Sequence, residues 1–337
     1  MLLQARLASS RLPIAPAVGV GAVLLLLGIR LYGDPPAALS TFSTRFLGIF
    51  LEALPFLLLG SVVSGLIEVF ASRDSISRFI PRNRFLAAFT GTVMGFAFPV
   101  CECGAVPVTR RLFTKGVPIS VGVAFLLASP VMNPIVLAST WAAFGAGPVL
   151  LGRYAITAVV ATGVALVFTL AARPAEVLRV SSLVSIAGGS SQAVAESAAP
   201  RLQRVQTALS LASDDFFDMG RYLVVGTLLA AGMQTLVSPD LMTSLGRGPV
   251  VSVLTMQALA YVLSICSTVD AFLALAFAGT FTTGAILAFL TFGPMVDVKS
   301  TLMFLSVFRP RTVAYLILLP LLMTMAIGVW LNLNVPM

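Results

Sequence analysis

The chemistry this chain can do is concentrated at Cys101, Glu102 and Cys103, within Pro99-Val100-Cys101-Glu102-Cys103-Gly104-Ala105-Val106-Pro107. Two prolines and a glycine in so short a stretch oppose a continuous helix. On an ideal helix the two thiols would point to nearly opposite sides, but on extended backbone positions two apart face the same way. An unwound turn would therefore aim both sulfurs at one soft atom, and thiolates select soft metals and metalloids. Cys266, the third cysteine of the chain, is a candidate further ligand. The alternative reading is that these cysteines pack as small buried hydrophobes.

Two other stretches interrupt long apolar segments. Ser129-Pro130-Val131-Met132-Asn133-Pro134 and Gly293-Pro294-Met295-Val296-Asp297-Val298 read as paired breaks in crossing helices. Such breaks free amides and carbonyls near the membrane midplane, where a substrate can meet them. Ser129, Pro130, Asn133, Pro134 and Pro294 are therefore candidate substrate contacts. A packing kink is the alternative.

Six acids lie in apolar surroundings: Glu52, Glu68, Glu102, Asp218, Asp270 and Asp297. Intramembrane carboxylates are costly and functional by default. With no histidine in the chain, carboxylates are the candidate proton carriers, chiefly Glu102, Asp270, Asp218, Glu52 and Asp297. Glu68 reads as interfacial, and Lys299 is placed to neutralise Asp297.

The elements that must hold these residues follow from composition. The chain has 337 residues, 58% hydrophobic and only 10% charged, with a mean hydropathy of +1.01. Soluble domains carry about 25% charged residues, so the reading is an integral membrane protein in the cell inner membrane. The net charge of +8 does not point to nucleic acid, because the basic residues lie in short loops between apolar blocks, where they set topology.

Residues 12–31 read as an uncleaved first span rather than a signal peptide. The predicted units are residues 1–44 (first span and loop), 45–172 (first repeat), 173–213 (polar cytoplasmic linker) and 214–337 (second repeat). The repeat rests on landmarks at nearly constant offset. Glu52 and Gly60 are echoed by Asp218 and Gly226, Cys101 by Cys266, and Phe125–Pro130 by Phe289–Pro294.

If Phe85–Val108 dips in and returns, the Arg73–Arg84 loop and the Arg110, Arg111 and Lys115 cluster share the cytoplasmic side. The same arithmetic puts the amino terminus, the linker arginines, Arg309 and Arg311 inside, and inverts the second half relative to the first. The expected fold is an all-α polytopic membrane protein of two inverted repeats, with broken or re-entrant helices and about 7–9 membrane segments.

The cysteine triplet followed by Ser129-Pro130…Asn133-Pro134, with Cys266-Ser267 and Asp270-Ala271-Phe272 later, resembles a family of bacterial permeases that includes the ArsP-type exporters of trivalent organoarsenicals. The resemblance covers about Phe46 to Trp330. It implies a secondary permease rather than an enzyme, with no cofactor. The expected partners are the bilayer and a small solute or metalloid; a homo-oligomer is compatible. The function expected is export of a soft metal(loid) or thiol-reactive solute. The alternatives are a permease for another solute with structural cysteines, or an intramembrane thiol redox protein. No ATP-binding motif occurs, so transport would draw on a gradient.

Overall fold

A computed structural model gives the fold and describes residues 35–72, 83–98, 100–171, 201–236 and 248–334, together with Ile76, Arg78, Ile80, Pro81 and Val177. The predicted first span at 12–31, most of the linker and Pro99 lie outside the described residues. The described residues form twelve helices.

Helix α1 (Pro35–Phe70) is a long apolar span. Next come α2 (Arg84–Ala97) and α3 (Glu102–Thr114), each about 20 Å long and too short to cross about 30 Å of hydrocarbon. Asn83 caps α2 by accepting from the Phe85 amide at 3.0 Å. A glycine stop ends α3: Gly116 is left-handed (φ 83°), its amide reaches the Phe113 carbonyl, and the Val117 amide reaches Leu112. A broken span follows as α4 (Ile119–Met132) and α5 (Pro134–Phe144), and α6 (Pro148–Ala171) returns.

The second half begins with α7 (Arg201–Leu236), a helix that starts inside the segment expected to be linker. The hydrophobic residues from Leu202 onward let it run on against α1. A second pair of short helices, α8 (Val251–Leu263) and α9 (Asp270–Phe277), precedes a second broken span, α10 (Thr283–Met295) and α11 (Val298–Val307). The final span is α12 (Pro310–Asn334).

Among the described residues six helical stretches are long and apolar enough to span a bilayer. The protein is thus an all-helical, multi-pass membrane protein. The two broken spans are its centre. In their most apolar stretches 72% and 89% of residues are buried, against 28–50% in the other four.

Contacts between element ends fix the path of the chain. Arg84 and Ala87 at the start of α2 line one cavity with Lys115 and Gly116 after α3, and with Thr169 near the end of α6. Hence α2 and α3 enter and leave at the same end of the bundle. The Arg309 amide donates to the Val177 carbonyl there at 3.0 Å, so α11 finishes and α12 starts at this end. At the opposite end Ser252 meets Thr282 at 3.2 Å, bringing together the start of α8 and the exit from α9. Asn332 near the end of α12 donates to the Pro249 carbonyl at 2.8 Å.

Candidate functional site

Both pairs of short helices turn at a cysteine. Cys101 has extended backbone (φ −81°, ψ −179°) and is the N-cap of α3; its carbonyl accepts from the Gly104 and Ala105 amides at 3.1 and 2.9 Å. The Cys266 carbonyl likewise accepts from the Val269 and Asp270 amides, three and four residues on, at 3.1 and 3.2 Å. The two cysteines therefore occupy the same local position in the two halves.

Their thiols converge. Ligand atoms of Cys101, Glu102 and Cys266, all buried, lie within 4.8 Å of one another. The Cys101 thiol lies beside those of both Cys103 and Cys266. Cys103 touches Cys101 but does not complete a second such group, because it lies inside α3 rather than on extended backbone. Cys101 thus stands beside both Cys103 and Cys266, and it is the Cys101–Cys266 pair that shares a three-ligand group with Glu102.

The broken spans supply the surrounding polar groups. Asn133 caps α5: its Oδ1 accepts from the Val136 amide at 2.9 Å, and its Nδ2 donates to the Ser129 and Val100 carbonyls at 3.3 and 3.5 Å. It therefore ties the first break to the unwound residues before Cys101. Pro130 lies within α4 and Pro134 is the first residue of α5, where its missing N–H costs nothing. Asp297 occupies the corresponding cap of α11, accepting from the Ser300 amide at 2.6 Å while its own amide donates to Ser300 Oγ at 2.9 Å. Pro294 sits in the last turn of α10, just ahead of that break.

Lys299 follows the cap, and its ammonium reaches both carboxylates: 3.2 Å to Glu102 Oε1 and 3.4 Å to Asp297 Oδ2. Lys299 thus answers Asp297, as the spacing suggests, and Glu102 as well. All three side chains are at most 2% exposed. Gly226 makes this approach possible, since a Cβ there would stand 2.9 Å from the Lys299 Cα. Glu102 Oε2 and Ser129 Oγ are buried without a hydrogen-bond partner among the described residues. Glu52, half-buried on α1, lies within electrostatic reach of Lys299.

Asp270 belongs to a second buried pair. Arg153 binds it with both amino groups, at 3.0 and 2.6 Å, and also reaches Thr140 Oγ1 at 2.8 Å. Arg153 is completely buried. The expectation that basic residues lie in loops between apolar blocks fails here, because Arg153 falls inside a helix that starts at Pro148. The signal was an arginine in the apolar run Leu150-Leu151-Gly152-Arg153-Tyr154-Ala155-Ile156.

Asp218 lies apart from the thiols, paired with Arg110 at 2.8 Å and with Arg221. It belongs to a charged network near the Lys115 end. There Asp215 accepts from Arg111 at 3.1 and 3.0 Å and from Ser64 at 2.7 Å, and Glu68 pairs with Lys115 at 3.4 Å.

A family model described as a predicted permease, ArsP_1, matches residues 38–333. The chain belongs to this permease family. Among its relatives is the UPF0718 protein YcgR of Bacillus subtilis, 41% identical over 273 residues that cover 81% of this chain and 90% of that protein. A Streptococcus mutans protein, 35% identical over 296 residues, covers 84% of this chain and 92% of its own length. That protein is named as a subunit of a two-component membrane permease complex. The UPF0718 protein YraQ of Escherichia coli is 31% identical over 101 residues, 30% of this chain and 28% of its own. No solved structure matches the chain.

The family match spans both short-helix pairs and both broken spans, so the residues described above lie within the permease unit. Two thiols and a carboxylate together offer soft and hard donors to a small ligand. The adjacent lysine sets the charge such a ligand would meet.

Proposed function

We propose that this permease is a secondary exporter of a soft metal(loid) or thiol-reactive small solute, of which a trivalent organoarsenical is one example. The observation that carries the reading is the meeting of Cys101, Glu102 and Cys266 within 4.8 Å at the turns of the two short-helix pairs. A trivalent methylarsenical has two exchangeable positions and two thiols to take them. Ser129 and Asn133 are buried polar groups on one break, and Pro294 is buried at the other; Pro134 is exposed and faces away from the core.

The reading includes an inverted pair of halves. The path of α1–α6 from one end of the bundle and that of α7–α12 from the other support it, as do the matching cysteine turns. The end bearing Arg84, Arg110, Arg111 and Lys115 is then cytoplasmic, in the inner membrane, with the amino terminus on the same side. Glu102 carries the coupling proton. Asp270 instead serves as the anionic half of a lock with Arg153, because both its oxygens are taken. The name of the Streptococcus relative favours a second protein component for this chain as well.

The test is protection of cells against trivalent methylarsenic. Wild type should protect, while Cys101→Ser and Cys266→Ser should each remove protection at unchanged protein level; Cys103→Ser should retain a substantial part. Full protection by both of the first two variants would make the thiols packing residues and end the metalloid reading.

A further inference from the structure

We infer that the site takes its cargo as a thiophilic divalent cation, and that Lys299 is a tethered counter-ion which that cation displaces from Glu102. The inference rests on the thiol site proposed above and narrows its substrate class by the donors the site offers. Glu102 and Asp297 both face the Lys299 ammonium, at 3.2 and 3.4 Å, so one cation answers two buried acids. Charge inside hydrocarbon is held only when paired. One Glu102 oxygen is held by Lys299, while the other is buried with no hydrogen-bond partner among the described residues, beside two sulfurs within ligand distance. A carboxylate left half-satisfied next to two thiols is a cation seat.

A neutral metalloid condensing with two thiols releases water and has no need of a carboxylate donor. A divalent ion binding both thiols releases two protons (M²⁺ + 2 RSH → M(SR)₂ + 2 H⁺) and has coordination left for an anionic oxygen. Binding through one thiol with release of one proton adds one positive charge to the site, which a carboxylate answers. In either case the carboxylate that completes the ligand set is the one the ammonium now holds. Asp297 offers the ammonium an alternative berth at 3.4 Å, already in contact. Moving between the two acids, Lys299 yields the seat to cargo and, on returning, expels it. Lys299 is thus a positioning residue: it acts on the cargo through Glu102.

Two variants of the full chain move cadmium affinity in opposite directions. Lys299→Met removes the competitor, so purified protein should bind Cd²⁺ about tenfold more tightly, while cadmium efflux from loaded vesicles falls. Asp297→Asn removes the alternative berth and keeps the helix cap, since asparagine already fills the equivalent cap at position 133. It should bind Cd²⁺ about tenfold more weakly.

Thiolate-to-cadmium absorbance reports the affinity, and calorimetry in buffers of different ionisation enthalpy counts the protons released. Wild-type protein that binds methylarsenite but no Cd²⁺ would overturn this inference and leave the metalloid exporter standing. Binding of neither would remove both. Wild-type cadmium binding with unchanged affinity in Asp297→Asn would remove the role of Lys299, whether or not Lys299→Met accumulates.

Discussion

A carboxylate between two cysteines in a membrane interior needs its charge answered, and Glu102 is answered by a lysine 197 positions away. Local spacing links Lys299 to Asp297 alone, because those two stand on one turn; no sequence pattern links it to Glu102. The thiols were more legible, since Cys101 and Cys266 fall at corresponding places in the two halves. What spacing could not show is that Cys103 is wound into α3 while Cys101 is left on extended backbone. Coupling is a property of this scale. Glu102→Gln keeps the size and hydrogen-bonding reach of the side chain and loses the exchangeable charge. It should still take up methylarsenite in a binding assay, yet show no acceleration of transport in everted vesicles when a pH gradient is imposed. An unaltered response to the gradient would assign the coupling elsewhere.

At the scale of helices, small residues decide how closely the elements approach. Gly60 of α1 lies so near α3 that an added Cβ would fall 2.3 Å from the Gly104 Cα. Backbone cannot yield as a side chain tip can, so Gly60→Val should cost about 1–3 kcal/mol through overpacking. Gly48, on the same helix with nothing within 4 Å, is the control. In detergent the Gly60→Val protein should melt several degrees below wild type and Gly48→Val close to it; equal melting would mean that α1 does not pack on α3 as described. Gly60 and Gly226 were both visible as landmarks of the repeat, but their partners were not. One meets a glycine in a short helix and the other the backbone of Lys299, because tertiary approach depends on helix tilt, which hydropathy does not encode. The break before α3 was legible, where Pro99, Gly104 and Pro107 oppose a continuous helix; the turn between α8 and α9, at residues 264–269, has no proline or glycine to mark it.

For the whole molecule the basic residues predict a sidedness that labelling can test. On a background lacking the native cysteines, Pro118→Cys and Arg201→Cys, both exposed at the basic end, should react with an impermeant maleimide only in inside-out vesicles. Pro249→Cys and Asn334→Cys, exposed at the other end, should react only in right-side-out cells. Labelling of Pro118→Cys from outside would overturn both the sidedness and the inversion of the halves. The apolar spans were the most legible feature of all, since hydropathy acts over tens of residues and tolerates local error. The exceptions are instructive. Arginine was read everywhere as a mark of the membrane surface, and Arg153 was lost by that rule because its acid partner lies in the other half of the chain.

That pairing also has a consequence for how the protein is made. Arg153 leaves the ribosome 117 residues before Asp270 exists, and a lone guanidinium in the second turn of a nascent membrane helix is costly to hold in hydrocarbon. During synthesis Arg153, without its partner, should stay nearer the water–lipid boundary than in the finished fold. Translation of α9 supplies the missing carboxylate, and only then can α6 settle. The two members of this ion pair enter the bilayer in turn and settle together.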